Sequence, residues 1–296
     1  MAPMILDYDE PLFRPPAEGE NLIIQATLGC SFNRCSFCAM YRSKQYVERP
    51  LAEVFHDIEH AAGDWADARR IFLADGDALA LPTAHLLALL EKLGTTFPRL
   101  TRVSCYATPA NLLRKSPAEL AQLRAQKLNL LYVGIESGSD AILKKVTKGA
   151  TARGIEEALH KAHAAGMKIS ATVILGLGGT QHGQQHIDGT IALLNQAPVN
   201  YLSTLQLYLD DSVRGEFVEK FGEPFTPPDD HAILLEQQRL LRGLQPPQPL
   251  LFRSNHDSNA LALDGTLPKD RERLLSELAD AINGERPLRP FYLRSM

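Results

Sequence analysis

Residues 22–41 read LIIQATLGCSFNRCSFCAMY, an apolar run that leads directly into a loop with three cysteines. The run at Leu22 predicts a buried strand. Five further short apolar runs also predict strands, and they begin at Arg70, Arg102, Leu130, Lys168 and Leu202. Segments with helical spacing of apolar residues lie between these runs. Alternating strands and helices give parallel strands joined by right-handed crossovers. The sequence therefore predicts an α/β protein, either a doubly wound sheet or a barrel.

Local signals predict where several helices begin and end. Ser116, Pro117 and Glu119 match a capping box with proline at the first helical position. Glycines stand where three helices are expected to stop, at Gly63, Gly94 and Gly166.

The composition changes near Pro224, where proline-rich segments surround two predicted helices at about 229–244 and 268–282. A separate domain of about 70 residues with so few strands would bury little surface of its own. We therefore predict a core at residues 1–223 and a short, mostly helical C-terminal extension at residues 224–296 that packs on it.

Composition and charge argue against several classes of protein. A chain with 45% hydrophobic and 22% charged residues is typical of globular proteins. No apolar run approaches the ~20 residues that span a bilayer, and the N-terminus carries acids where a signal peptide carries Lys or Arg. We therefore expect a cytoplasmic protein without a membrane partner. A net charge of −4 gives no general attraction to phosphate backbones, so we do not expect nucleic acid to bind.

The cysteine loop has the spacing C-x4-C-x2-C, formed by Cys30, Cys35 and Cys38. A closed zinc site needs four ligands, so the fourth would have to be Cys105 or a histidine. An iron–sulfur cluster held by three thiolates would leave one iron open to bind another molecule. The spacing favours such a cluster, with a zinc site and redox-active or buried thiols as the alternatives.

Polar motifs follow the later predicted strands. Asp75, Gly76 and Asp77 come directly after the strand at Arg70, and two acids beside a small residue suit a cation. Glu136 ends a strongly apolar run in VGIESGSDAILKKVTKG, where a buried carboxylate is costly unless it has a partner. The stretch TVILGLGGT follows in the next strand.

The cysteine loop and these motifs together resemble the radical S-adenosylmethionine enzymes over about residues 20–210. The resemblance implies a partial (β/α)6 TIM-like barrel with a 4Fe–4S cluster on the three cysteines of the loop. The open iron would bind S-adenosylmethionine, and one electron from a donor such as a flavodoxin or ferredoxin would cleave it. The resulting 5′-deoxyadenosyl radical would abstract hydrogen from a compact substrate that the sequence does not identify. The loop has one residue more than the family's commonest spacing, C-x3-C-x2-C.

The resemblance also implies which residues contact the cosubstrate. Gly76 and Asp77 would meet the methionine ammonium, Glu136 the ribose, and Ser137 the start of a helix that attracts the methionine carboxylate. The adenine would lie against Phe37, Ile174, Gly176, Leu205 and Leu207. The sequence departs from the family pattern at three positions, since Asp75 and Thr172 replace glycines and Gly179 replaces an acid.

Substrate contacts are predicted at Tyr106 and in the polar run 252–259, through Arg253, Asn255 and His256, with capping of helix ends as the alternative for that run. Cys105 is expected to point into the barrel beside Tyr106, and His182 and His186 to lie on the surface.

No catalytic side chain is predicted. Methylthio-transferring members of the family carry further cysteines, whereas this chain has only Cys105 outside the loop. That branch is therefore disfavoured. An iron–sulfur electron carrier or sensor and a zinc-stabilised barrel enzyme remain as alternative functions.

Overall fold

The structure, a computed structural model, describes residues 6–294. These residues divide into two compact units. The first consists of the described residues of Met1–Asn33, with Met40–Val133 and Lys161–Lys168. The second consists of Arg34–Ala39, Gly134–His160 and the described residues of Ile169–Met296.

Ten strands and ten α-helices occur within residues 6–294. The strands are β1 (Leu22–Gln25), β2 (Thr27–Leu28), β3 (Val47–Glu48), β4 (Arg70–Ala74), β5 (Arg102–Tyr106), β6 (Leu128–Glu136), β7 (Lys168–Leu175), β8 (Tyr201–Gln206), β9 (Leu250–Arg253) and β10 (Asp264–Leu267). The helices are α1 (Leu51–Ala61), α2 (Thr83–Thr96), α3 (Pro109–Arg114), α4 (Pro117–Ala125), α5 (Asp140–Lys145), α6 (Ala152–Ala164), α7 (Gly179–Leu194), α8 (Asp211–Phe221), α9 (Asp230–Gly243) and α10 (Arg271–Ile282).

The first unit contains four neighbouring parallel strands in the order β1, β4, β5 and β6. Ile23 lies opposite Phe72, which in turn lies opposite Ser104. Every residue of β1 is buried, and so are four of the five residues of β4. Runs of this kind, apolar on both faces, are typical of parallel strands covered by helices. The short strands β2 and β3 pair antiparallel, and the segment that connects them contains the cysteine loop.

The second unit contains parallel strands β7, β8 and β9, and β10 runs antiparallel to β9. All six predicted strands are present as β1 and β4–β8, so the α/β class with mostly parallel strands is confirmed. The sequence analysis did not predict β9 and β10. Segment 224–296 therefore adds strands as well as helices, although its predicted role as an extension packed on the core remains a prediction.

The local helix signals agree with the structure at most positions. Ser116 and Glu119 form the predicted capping box at the start of α4. Gly166 follows α6 with a φ of 77°, a left-handed conformation that glycine adopts without strain. The prediction for Gly94 was wrong, because α2 continues through it to Thr96. Packing of the buried Leu93 in that last turn outweighs the low helix propensity of glycine.

Candidate functional site

The first unit contains the start of the cysteine loop, and two glycines hold Cys30 in place. Gly29 has a φ of 68°, and a side chain there would come within 2.9 Å of the Gln45 carbonyl oxygen. Its own carbonyl accepts a hydrogen bond of 3.0 Å from the Gly76 amide. A Cβ at Gly76 would lie 2.7 Å from the Tyr41 ring and 3.0 Å from the Cys30 Cβ. The structure therefore brings the predicted residues Gly76 and Cys30 into direct contact.

Asp75 and Asp77 are both fully buried beside this loop start. Asp75 forms an ion pair of 3.0 Å with Lys44 and accepts a hydrogen bond of 3.0 Å from the Gly29 amide. The sequence predicted that a cation would suit this position, and Lys44 of the chain itself supplies a positive charge beside Asp75.

Asp77 has neutral partners. Its carboxylate accepts hydrogen bonds from the side chains of Ser31 and Asn111 and from both the amide and the hydroxyl of Thr108. Burial raises the pKa of Asp77, and the hydrogen bonds from Ser31 and Asn111 oppose that rise. Asp77 therefore connects the cysteine loop to α3, and its proposed contact with a cosubstrate ammonium stays a prediction.

The second unit contains Cys35 and Cys38, and the backbone of α5 fixes the segment that carries them. The Ser36 amide donates a 3.0 Å hydrogen bond to the Val146 carbonyl just after α5. The Cys38 amide donates one of 3.1 Å to the Cys35 carbonyl. Neither thiol forms a disulfide, and both are partly exposed.

The predicted adenine contacts in this unit share one apolar cluster. Phe37, Ile174 and Leu207 are partly buried, and all three pack against the same fully or largely buried residues. These residues are Ile142, Val146, Leu177, Leu209, Phe217 and Phe221. Ile174 also lies directly opposite Leu205 in the pairing of β7 with β8. Residues far apart in sequence thus form one surface.

Glu136, at the end of β6, has the partner that its burial requires. Its Oε1 lies 3.0 Å from the Lys148 ammonium, and each side chain is only 10% exposed. Glu136 has a φ of 60°, which an L-residue adopts only under constraint. A Cβ at Gly134 would come within 2.0 Å of its Oε1, so a larger residue there would displace the carboxylate from this position. The sequence predicted a partner for Glu136 but did not identify Lys148.

Ser137 and His186 form a buried polar pair next to Glu136. The Ser137 hydroxyl lies 2.8 Å from His186 Nδ1 and accepts a hydrogen bond from the Ser139 amide. His186 Nε2 lies 2.9 Å from the Ile174 carbonyl oxygen, so this pair connects β6 to the predicted adenine strand β7. Burial lowers the pKa of His186 to about 4, and the imidazole is therefore neutral at pH 7.

The prediction that His186 lies on the surface was wrong. His186 falls on the same helical face as the buried residues Ile187, Thr190, Leu193 and Leu194 of α7. That spacing was present in the sequence, but polar neighbours obscured it. His182, in contrast, is 27% exposed and lies 2.5 Å from Glu223.

Gly176 follows β7 with a φ of 80° and is held by an acid from α9. Its amide donates a 2.7 Å hydrogen bond to Glu236 Oε2. Burial raises the pKa of Glu236 to about 7, although the Gly176 amide opposes the rise. Sequence reasoning did not find Glu236, which is 60 residues away from Gly176.

The predicted substrate residues make internal contacts. Tyr106 packs edge-to-face with Phe72, at a ring distance of 5.2 Å. In the polar run, the Arg253 guanidinium lies 5.7 Å from the Tyr201 ring centre, and His256 Nδ1 lies 2.9 Å from the Ser258 hydroxyl. Asn255 is exposed. Their contact with a substrate therefore remains a prediction.

Cys105 is not beside Tyr106, contrary to the prediction. Adjacent residues of a strand point to opposite faces, so Cys105 and Tyr106 of β5 do not lie side by side. Cys105 is fully buried, and this burial raises the pKa of its thiol. A buried thiol with a raised pKa is typical of an inert core cysteine.

Comparison with known proteins identifies the family. The sequence profile of the radical SAM superfamily matches residues 24–194, which is more than half of the chain. The chain belongs to the radical SAM superfamily. The match begins in β1 and contains the three cysteines of the loop, Asp77, Glu136 and Lys148.

Curated relatives resemble this radical SAM protein over only part of their length. It is 28% identical over 194 residues to tRNA-2-methylthio-N(6)-dimethylallyladenosine synthase from Xylella fastidiosa strain M12, and 27% identical over 191 residues to the enzyme of that name from Legionella pneumophila strain Corby. The matched regions cover 60% of this chain and about two fifths of the relatives, 39% and 41% respectively.

Solved radical SAM structures share the fold. Coproporphyrinogen III oxidase from Escherichia coli superposes with a TM-score of 0.58 at 18% identity, covering 75% of this chain and 52% of that enzyme. Methylornithine synthase superposes with a TM-score of 0.55 at 13% identity, covering 87% of this chain and 68% of that enzyme. These likenesses agree with the α/β fold described above. No helix within residues 6–294 is long and apolar enough to cross a membrane.

Proposed function

We propose that this radical SAM enzyme binds a 4Fe–4S cluster through Cys30, Cys35 and Cys38 and cleaves S-adenosylmethionine reductively. The observation that carries the proposal is the C-x4-C-x2-C loop, which directly follows the first strands of a chain that belongs to this superfamily. When bound, the cluster would pass one electron to the sulfonium, yielding methionine and a 5′-deoxyadenosyl radical. That radical would abstract hydrogen from a compact substrate.

The donor set supports a cluster. None of the three cysteines forms a disulfide and all three are partly exposed, and the buried ammonium of Lys148 interacts electrostatically with Cys35 and Cys38. Within residues 6–294, no three His, Cys, Asp or Glu side chains converge to hold a single metal ion. Each thiolate of an iron–sulfur cluster binds a different iron, so a cluster does not need such convergence.

For the cosubstrate, we propose that the adenine contacts Phe37, Ile174, Leu205 and Leu207, beside the Gly176 turn. Support comes from the apolar cluster that Phe37, Ile174 and Leu207 share, and from the pairing of Ile174 with Leu205.

The polar groups of the cosubstrate require different partners. Glu136 would use its second carboxylate oxygen to accept from the ribose, and Ser137 would shape the turn beside it. Gly76 would present backbone to the methionine ammonium. Asp77 would contact the methionine ammonium as well. The hydrogen bond that Asp77 accepts from Ser31 supports a second role, in which Asp77 holds the residue next to Cys30.

The relatives transfer a methylthio group to tRNA according to their name. We do not extend the proposal to that reaction, because the matched regions cover only 39% and 41% of these relatives. In the cell, a flavodoxin or ferredoxin would supply the electron. Tyr106, Arg253, Asn255 and His256 remain proposed substrate contacts.

The test uses protein reconstituted anaerobically with iron and sulfide. After addition of S-adenosylmethionine and dithionite, we expect 5′-deoxyadenosine and methionine in equal amounts. Cys35→Ala should abolish both the cluster and the products, whereas Cys105→Ala should retain the cluster. A full cluster without cleavage would favour the electron carrier or sensor, and bound zinc without sulfide would favour the zinc-stabilised enzyme.

A further inference from the structure

Lys148 lies in a tightly constrained turn after α5. Thr147 and Gly149, on either side, have φ values of 53° and 68°, and the Lys148 amide donates a 2.9 Å hydrogen bond to the Leu143 carbonyl. The turn directs the side chain inward, where it is 10% exposed and 3.0 Å from Glu136. A buried ammonium requires a compensating charge of this kind.

The same ammonium interacts electrostatically with two members of the cysteine loop. Burial disfavours the charge of Lys148, but attraction to Glu136 and to Cys35 and Cys38 outweighs burial and raises its pKa. The hydrogen bond from the Ser36 amide to the Val146 carbonyl explains this proximity, because it joins the cysteine segment to the chain two residues before Lys148. The ion pair with Glu136 and the hydrogen bond between Ser36 and Val146 therefore hold the charged ammonium within electrostatic range of Cys35 and Cys38.

A fixed positive charge has a defined effect on a metal cluster. Reduction adds one negative charge, and a nearby cation in a poorly solvated site stabilises the reduced state. Glu136 acts in the opposite direction, because its carboxylate partly neutralises the lysine. The two side chains therefore form a pair whose net field at Cys35 and Cys38 depends on both.

We propose that Lys148 is a positioning residue that raises the reduction potential of the cluster, and that Glu136 both orients the ammonium and limits its effect. This inference rests on the proposed function, since it requires the cluster. It adds a role for Glu136 besides the proposed contact with ribose.

The test compares three reconstituted variants with the wild type by redox titration, monitored by the electron paramagnetic resonance signal of the reduced cluster. In Lys148→Met, which keeps the length of the side chain, we expect the reduced state to be about tenfold less favoured, a shift of about 59 mV to more negative potential. Lys148→Arg keeps the charge and should stay near the wild type. Lys144→Met, at an exposed position of α5, the helix that precedes the turn of Lys148, is the matched control and should show no shift.

Glu136→Gln should shift the reduction potential in the opposite direction. It also provides an independent measurement if Lys148→Met does not retain the cluster. It keeps the lysine and removes the neutralising charge, so its potential should become more positive than that of the wild type. A purely structural role would not move the potential in opposite directions in these two variants. Unchanged potentials in both would overturn the inference while leaving the proposed function intact, whereas a wild type that forms no cluster would overturn both.

Discussion

Asp77 in the first unit and Glu136 in the second are both buried carboxylates that follow parallel strands, but they are compensated in different ways. Asp77 accepts hydrogen bonds from Ser31, Thr108 and Asn111, which are all neutral donors. Glu136 pairs with the ammonium of Lys148. Neutral donors fix the surrounding loops but leave a net charge in a poorly solvated place, so burial raises the pKa of Asp77. An ion pair instead provides a cation that can interact with a second anion.

The largest expected effect tests the ion pair. Glu136→Ala would leave the Lys148 ammonium buried without its carboxylate, and removal of one member of a buried pair costs about 3–5 kcal/mol. We expect a loss of that size in the free energy of unfolding, measured by urea denaturation under anaerobic reducing conditions. The double variant Glu136→Ala/Lys148→Met removes both charges and should lose less than the single variant. A double variant that is less stable than Glu136→Ala would show that the two residues are not coupled in this way.

A smaller effect is expected at Asp77, where no cation would lose its partner. Asp77→Asn replaces one acceptor oxygen by a donor, so one of the buried donors loses its acceptor, at a cost of about 1–3 kcal/mol. Ser31→Ala is the matched control, since it removes one donor to Asp77 together with the weaker hydrogen bond that Ser31 accepts from Asn111, and it should cost about 0.5–1.5 kcal/mol. The same urea denaturation measures both. A loss at Asp77 as large as that of Glu136→Ala would remove the distinction between the two acids.

The fold was largely predictable because its signals are local. Each of the six predicted strands is a short apolar run, and the capping box at Ser116 needs only four consecutive residues. Strands β9 and β10 were missed because prolines surround the short runs that form them, in a segment with few strand signals. The helix end predicted at Gly94 was wrong because tertiary packing of α2 outweighs the low helix propensity of glycine.

The candidate site was less predictable, because its contacts join distant segments. The apolar run before Glu136 showed that a partner was needed, but charge alone could not distinguish Lys148 from Lys144 or Lys145 in the same segment. The contact depends on the left-handed turn around Lys148. His186 could have been found from the spacing of α7, whereas the contact of Glu236 with Gly176 has no signal in a single sequence.

Glu236 extends the comparison to an acid that accepts fewer hydrogen bonds than Asp77 and has no ion-pair partner within residues 6–294. Within residues 6–294, its carboxylate accepts a hydrogen bond from a single backbone amide, that of Gly176. Burial raises the pKa of Glu236 from 4.5 to about 7, and the hydrogen bond from the Gly176 amide opposes this rise. Between pH 4.5 and about pH 7, the carboxyl group of Glu236 is deprotonated in the unfolded chain but retains its proton in the folded chain. Rising pH therefore favours unfolding, and the stability that this group contributes is present below pH 4.5 and lost as pH rises through 7.

Glu236→Gln removes this titration while keeping an oxygen that accepts from the Gly176 amide. Between pH 5 and pH 7 the wild type should lose at most about 2 kcal/mol of unfolding free energy relative to the variant, because each unit of pKa shift corresponds to about 1.4 kcal/mol. Urea denaturation at pH 5, 6 and 7 measures the difference, and Glu272→Gln, at an exposed position of α10, is the control. A constant difference across these pH values would mean that the Gly176 amide compensates the carboxylate fully. One neutral donor would then suffice for this partly buried acid, and the contrast between Asp77 and Glu136 would need another physical cause.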